Sequence, residues 1–520
     1  MNHLEAPGSV FRPDDLIRIA RRLILADARI DSSTAVLLGA MSLGLGLLAN
    51  GLFNSASLGL NFPLWLGAVA ACLLFAAHRS HTVLARNQLG LLAFALVLAC
   101  LVAGRASPAL QAVNLLAAFF LLLVAVALPR QTTVRRTSFA SFAFSLVVGM
   151  WSLAVGALRI AILLPWPRAW SSPARHGMAV GRTLLLTLPL ILIFGGLFVA
   201  ADAVFEEQVS RLFSFDLGIH LGHLRSHFWW TFAGAAGSAG LFWCALGFEA
   251  PAAPEASLPE RHRLRTLEVG FVLGALALLF TAFVAIQLRY LFGGRELVET
   301  TLDLTFAEYA RRGFFELVAV ASLLIPVLLL INWARSRSEK TTFMYRLLAV
   351  VLTVLLGVVM ASALQRLDVY TDTFGLTELR FYSAFFLACT AAVVVCFLAT
   401  VLRERIGEFI WGSAFIAIAG LVVLNGLNPD ALIVRTNLNH FDDGGDFDAP
   451  HAVGLSADAI PTLIDELGRL DAPDSCIVTT AILATYDEGA ADVRGWNYGR
   501  AEARRATENQ TEELLKACSP

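Results

Sequence analysis

Apolar residues run in blocks long enough to cross a ~30 Å hydrocarbon core, which takes about 20 helical residues, and these blocks recur from residue 34 to residue 425. Windows of about nineteen residues predict spans near 34–53, 60–77, 88–103, 110–128, 183–201, 228–248, 268–288, 314–332, 343–364, 381–401 and 407–425. The alternating segments of a membrane barrel are absent, so helices are the one way to satisfy the backbone in lipid. One more apolar segment, 139–165, carries Arg159 and ends in Leu-Pro-Trp-Pro, yet Ser141, Ser145 and Gly149 form a small-residue stripe of the kind that lets helices approach closely. The pattern predicts an all-α, polytopic transmembrane helical bundle of about 11–12 spans. That domain occupies 34–427, with 139–165 re-entrant or interfacial if it does not cross.

The two ends read differently. Residues 1–33 place Arg18, Arg22 and Arg29 on one helical face and Leu16, Ile17, Ala20 and Ile24 on another, which predicts an amphipathic helix on the cytoplasmic leaflet. Met1 to Val10 is not the basic start of a cleaved signal, so the first span is expected to direct its own insertion. Residues 428–520 are water-soluble and predict a small helical cap. Ser456 reads as the N-cap of a helix to Leu470, with Pro461 kinking it or marking a second start, and further helices are expected at 475–486 and 498–517. Short cytoplasmic loops carry the Lys and Arg excess, and the first loops, with Arg79, Arg86, Arg130, Arg135 and Arg136, agree on a cytoplasmic N-terminus. If 139–165 crosses, Arg261, Arg263 and Arg265, then Arg335, Arg337 and Lys340, then Arg403 and Arg405 all fall outside. If it does not, all fall inside, so the expectation is eleven crossings and an outer cap.

Composition agrees with a membrane chain: 57% of residues are hydrophobic and 15% charged, against roughly 25% charged in soluble domains. A net charge of −2 gives no electrostatic case for nucleic acid. No cofactor, metal or enzyme motif is present. Cys72, Cys100, Cys244, Cys389 and Cys396 lie in apolar runs as small hydrophobes, and no CxxC pair exists. His220, His223 and His227 share one helical face with Asp216, but Gly218 and Gly222 weaken any helix that would hold them, so solvated histidines are expected. Asp442, Asp443, Asp446 and Asp448 are out of register for a calcium loop. The two cap cysteines, Cys476 and Cys518, would bridge only if their Cα atoms came within about 7 Å. Cys518 lies where chains fray, so unpaired thiols are the expectation.

Two polar clusters interrupt the apolar pattern. In Leu304–Glu316, helical spacing sets Glu308 against Arg311 and Arg312, and Arg312 against Glu316, as a ladder of alternating sign. One reading leaves the arginines at the headgroups with Glu316 a turn inside; the other makes the ladder an intramembrane polar site. The second cluster surrounds Glu378 and Arg380, too close in sequence to pair on one helix turn. These six residues, Glu308, Arg311, Arg312, Glu316, Glu378 and Arg380, are the candidate site.

The stretches Phe306–Ala321 (FAEYARRGFFELVAVA), Thr377–Phe386 (TELRFYSAFF), Asn428–Leu438 (NPDALIVRTNL) and Arg494–Ala506 (RGWNYGRAEARRA) resemble a family of multi-spanning bacterial membrane proteins catalogued as a domain of unknown function (DUF4153/DUF4173-like). The resemblance implies architecture and no chemistry. The expected function is an integral inner-membrane scaffold or sensor, embedded in the lipid bilayer and meeting a protein partner through its cap. The alternative is a transporter of an ion or small solute, which needs a polar path between Glu316 and Glu378.

Overall fold

The computed structural model describes residues 30–128, 139–164, 221–247, 263–292, 314–486, 492–511 and 514. These residues are helical with no strand, beyond an isolated parallel bridge between Leu264 and Arg335. Nine of the described helices are long and apolar enough to cross a membrane. The predicted helix before residue 30, the 183–201 span and most of the 304–316 ladder lie outside the described residues.

The first six helices are α1 (Ser32–Phe53), α2 (Asn61–Arg79), α3 (Arg86–Gly104), α4 (Pro108–Ala127), α5 (Phe139–Leu163) and α6 (Leu221–Phe242, continued by a π turn to Gly247). They enclose one apolar core. The second core is built by α7 (Thr266–Phe292), α8 (Phe314–Ala334), α9 (Glu339–Phe374), α10 (Glu378–Thr400) and the start of α11 (Ile406–Leu427). Trp411, Ile418 and Leu421 of α11 pack on the first core, so this last span joins the halves.

Lipid offers no hydrophobic drive between spans, so close packing must come from small residues. Helices α1 and α6 run antiparallel: Asn54 meets His227, Gly46 meets Thr231 and Ala235, and Ile30 meets Gly247. A Cβ on Gly46 would lie 2.3 Å from the Thr231 carbonyl oxygen. Gly149 of α5 abuts Leu123 and Ala127, and Gly156 abuts Gly240. Within the predicted segment, Phe139–Leu163 is a continuous helix packed into the first bundle through Gly149 of its predicted stripe.

The cap contains α12 (Pro429–Asp442), α13 (Ala449–Gly454), α14 (Ile460–Asp465), α15 (Ala472–Tyr486) and α16 (Tyr498–Asn509) around a third core. Ser456 caps a 3-10 turn, Ala457–Ala459, and Pro461 opens α14, so the proline marks a second start. Two expectations are corrected, the end of α9 and the state of Cys476, and one further helix, α12, appears in the cap. Helix α9 extends to Phe374 rather than 364, because its polar last turns continue the helix until Gly375 reverses the chain at φ 70°. Helix α12 carries no long apolar run, yet Asn428 caps it and Pro429 presets its first turn. Cys476 is disulfide-bonded. The other five described cysteines are free, and Cys518 lies outside the described residues.

The interhelical turns fall on two faces. Turns 54–60, 104–108, 374–378 and 427–428 meet the cap. Leu264, Arg335 and Glu404 gather on the other face, and Gln88 bonds the Leu128 carbonyl there at the opposite end of α3 and α4 from the cap. Because the space beside Gly46 is filled and that beside Gly44 is open, Gly46→Val is expected to cost about 1–3 kcal/mol. Gly44→Val serves as the neutral control in thermal unfolding of the detergent-solubilised protein.

Candidate functional site at the cap–bundle junction

The turn between α3 and α4 contains Arg105, Ala106 and Ser107, with Pro108 presetting the first turn of α4. Such a turn carries N–H and C=O groups that neither helix bonds. Asp458 Oδ2 accepts from the N–H groups of Ala106 (2.7 Å) and Ser107 (3.0 Å). Gln111 and Asn497 side-chain amides both donate to the carbonyls of Val102 and Arg105, the latter at 2.8 Å in each case. Arg105 Nε donates to the Asn425 carbonyl at 2.7 Å. One turn deeper, Asn425 and Asn114 exchange amide hydrogen bonds of 2.9 and 3.0 Å, both buried between the spans.

Helix α12 brings a second carboxylate. Asn428, held at φ 49°, accepts from Ala431 N–H and donates to the Asp458 carbonyl at 3.1 Å. This sets Asp430 in the first turn of α12, fully buried. Its Oδ2 accepts from Ser456 N–H (3.2 Å) and from the Ser456 hydroxyl. The same hydroxyl lies 3.4 Å from Asp458 Oδ2, so one serine stands between two buried carboxylates. The Oδ1 atoms of Asp430 and Asp458 are buried without a hydrogen-bond partner. Burial pushes both carboxyl groups above the usual aspartate range. On Asp430 the Ser456 hydrogen bonds and Arg105 pull the other way, and on Asp458 the Ser107 and Ala106 N–H groups and Arg105 do so. The charge of Asp430 raises Asp458 further.

A pocket of about 500 Å³ opens beside this pair, lined by Glu378, Ser456, Leu455, Arg500 and Pro108 among others. Glu378 begins α10, and one turn on, the Tyr382 hydroxyl lies 3.3 Å from Ser107 Oγ. Arg500 Nη2 donates to the carbonyls of Leu58 and Gly495, both at 2.7 Å, which ties the pocket wall to the α1–α2 turn. Among the described residues, no three His, Cys, Asp or Glu side chains are grouped to hold a metal. The arrangement suits hydrogen-bonded and charge recognition, with protons held or released at the buried carboxylates.

Of the sequence-predicted site, Glu308, Arg311 and Arg312 lie outside the described residues, and Glu316 opens α8 with its side chain also outside them. Glu378 reaches the pocket. Arg380 does not: its Nη1 donates to the carbonyls of Phe374 and Gly375, and its guanidinium lies 4.1 Å from the Tyr370 ring centroid. It finishes the end of α9, as cations do at helix C-termini. His227 contacts Asn50 and Asn54. Sequence reasoning missed Asp430, Ser456, Asp458 and Asn497 as a group. A signal existed, since three of the four stretches that carry the family resemblance, those containing Glu378, Asp430 and Asn497, converge here.

Comparison with known proteins gives a family model, described as Domain of unknown function (DUF4153), that matches residues 92–466. No curated protein matches, and neither does any solved structure.

Asp458→Ala leaves two buried N–H groups unbonded and is expected to cost about 1–3 kcal/mol of thermal stability. A carboxyl raised in the folded state binds its proton more readily folded than unfolded. Its contribution to stability therefore grows as pH falls through the raised value and is complete below ~3.9. The unfolding midpoint of the wild type should accordingly rise relative to that of Asp430→Asn on acidification from neutral pH, as differential scanning fluorimetry can measure.

Proposed function

Because the chain belongs to the family described as Domain of unknown function (DUF4153), whose description carries no activity, we propose from its geometry that this multi-pass membrane protein is a scaffold or sensor of the bacterial inner membrane. In this reading its cap senses the extracytoplasmic side. The observation that carries the proposal is the way the cap clasps turns from both helical cores. Arg494 bonds the Gly51 carbonyl, Leu60 N–H bonds Trp496 and Asp458 bonds the 106–107 turn on the first core. On the second core, the Asn437 amide bonds both the N–H and the carbonyl of Leu376. A ligand or partner that shifts the cap must shift the two bundles relative to each other. A sensor needs that coupling to carry a change in the cap to the spans.

Charge and redox chemistry support this sidedness. The face away from the cap carries Arg263, Arg265, Arg335, Arg337, Lys340, Arg403 and Arg405, as cytoplasmic loops do. A disulfide at Cys476 suits an oxidising exterior. Parity supports eleven crossings: α4 ends on the charged face, whereas α6 begins beside Asn50 and Asn54 on the cap face. An odd number of crossings between them supports eleven in all. In this reading the N-terminus is cytoplasmic.

The transporter reading draws on one observation, the Asn114–Asn425 amide pair buried between spans beneath the pocket. Two measurements separate these readings. A periplasm-dependent reporter should be active when fused after Pro520 and inactive after Glu5, and Cys476 should resist alkylation in membranes until reductant is added. A photo-crosslinking residue at exposed Val493 or Tyr498 should capture a discrete protein in cells. Uptake of a solute into proteoliposomes, abolished by Asn114→Leu, with no captured protein would overturn the scaffold in favour of transport.

A further inference from the structure

The face opposite the cap is organised around one buried guanidinium. Arg335 is 1% exposed. Its Nε donates to Asn332 Oδ1 (2.9 Å), Nη1 to Thr342 Oγ1 (2.6 Å) and Nη2 to Glu404 Oε1 (2.8 Å), while the Tyr345 ring centroid lies 5.1 Å away. Leu264 pairs with the strand-like turn at Arg335, bonding Ala334 and Ser336. Arg335 is therefore fully used in holding α8, α9 and α10 together.

Glu404 is shared much further. Arg337 Nη1 lies 3.3 Å from its Oε2 and Arg346 Nη2 lies 3.7 Å from its Oε1. One carboxylate thus meets three guanidinia, and Arg335, Arg337 and Arg346 hold it charged against its burial. The surrounding segments 263–268, 335–346 and 403–408 add Arg263, Arg265, Lys340, Arg403 and Arg405 against Glu268, Glu339 and Glu408. Two of those carboxylates are engaged locally, Glu268 with the Arg265 N–H and Glu408 with Arg405. Eight cations face four carboxylates. Arg337 and Arg346 remain 48% and 46% exposed, so they can take a further anion alongside Glu404.

The position of Arg346 identifies that anion. Phe343, Arg346, Leu347 and Val350 follow helical spacing on one face of α9, and the three apolar members are exposed. A hydrogen bond between the Thr266 and Thr341 hydroxyls, 2.7 Å, sets the start of α7 level with that of α9, and there α7 exposes Leu267 and Phe271. A guanidinium between exposed apolar side chains, at the end of a span, suits a phosphate that carries acyl chains. A soluble phosphate has nothing to lay against Phe343 and Leu347. We propose that Arg337 and Arg346, with the Phe343–Leu347–Val350 strip below them, bind the headgroup of an anionic phospholipid.

The test uses the full-length detergent-purified protein with phosphatidylglycerol and chain-matched phosphatidylcholine, read by native mass spectrometry. Phosphatidylglycerol should be retained preferentially, and Arg337→Gln and Arg346→Gln should each lower its retention by about fivefold. Arg469→Gln in the cap should leave it unchanged. Arg346→Gln keeps the test valid should Arg337→Gln fail to fold, since Arg346 makes the longer contact with Glu404, 3.7 Å against 3.3 Å. Equal retention of the two lipids, or retention unaffected by Arg346→Gln in a folded protein, would overturn the proposal. Displacement by inorganic phosphate would also overturn it and make the site one for free phosphate.

Discussion

The turn between α3 and α4 leaves peptide groups that neither helix can bond, and the rest of the junction depends on how they are satisfied. Water would serve on an open surface, but Ala106 and Ser107 are buried. Asp458 takes the two N–H groups, while Gln111 and Asn497 take the carbonyls. Leaving a buried peptide group unbonded costs about 1–3 kcal/mol, so several such groups together give the cap a defined seat in place of a tethered position. The same seat explains why Asp458 stays buried despite the cost of its charge. It is the acceptor that the turn requires.

The spans themselves are held by a different economy of contacts. Packing at Gly46, Gly149, Gly156 and Gly240 brings backbones together in the first bundle, where a side chain would collide. In the second bundle, polar devices sit at the ends: Arg335 ties three helix termini on one face, and Arg380 closes α9 on the other. Between the bundles the first core receives Trp411, Ile418 and Leu421 from α11.

The spans were legible because each is decided locally: a run of apolar residues, one helix. The end of α9 was less so, since polar turns continue a helix without any apolar signal. Helix α12 had a readable start in Asn428 and Pro429. The junction was illegible for a different reason. Asp458 and Ala106 are 352 residues apart, and nothing near either one announces the other. Glu378 stood out as a charge at a span entrance and does reach the pocket. Arg380 stood out for the same reason and is a helix-end group. The unpaired-thiol expectation failed at Cys476, which is disulfide-bonded.

That separation of 352 residues also bears on biogenesis. At the usual pace of translation, about 5–20 residues per second, the α3–α4 turn waits roughly 20–70 s in the membrane before Asp458 has even been made. During that interval the first bundle can assemble through its glycines, but the α3–α4 turn still lacks the acceptor for its N–H groups. Closure comes only when the last segment has been synthesised and moved to the same side. The junction is therefore among the last contacts that the growing chain can make.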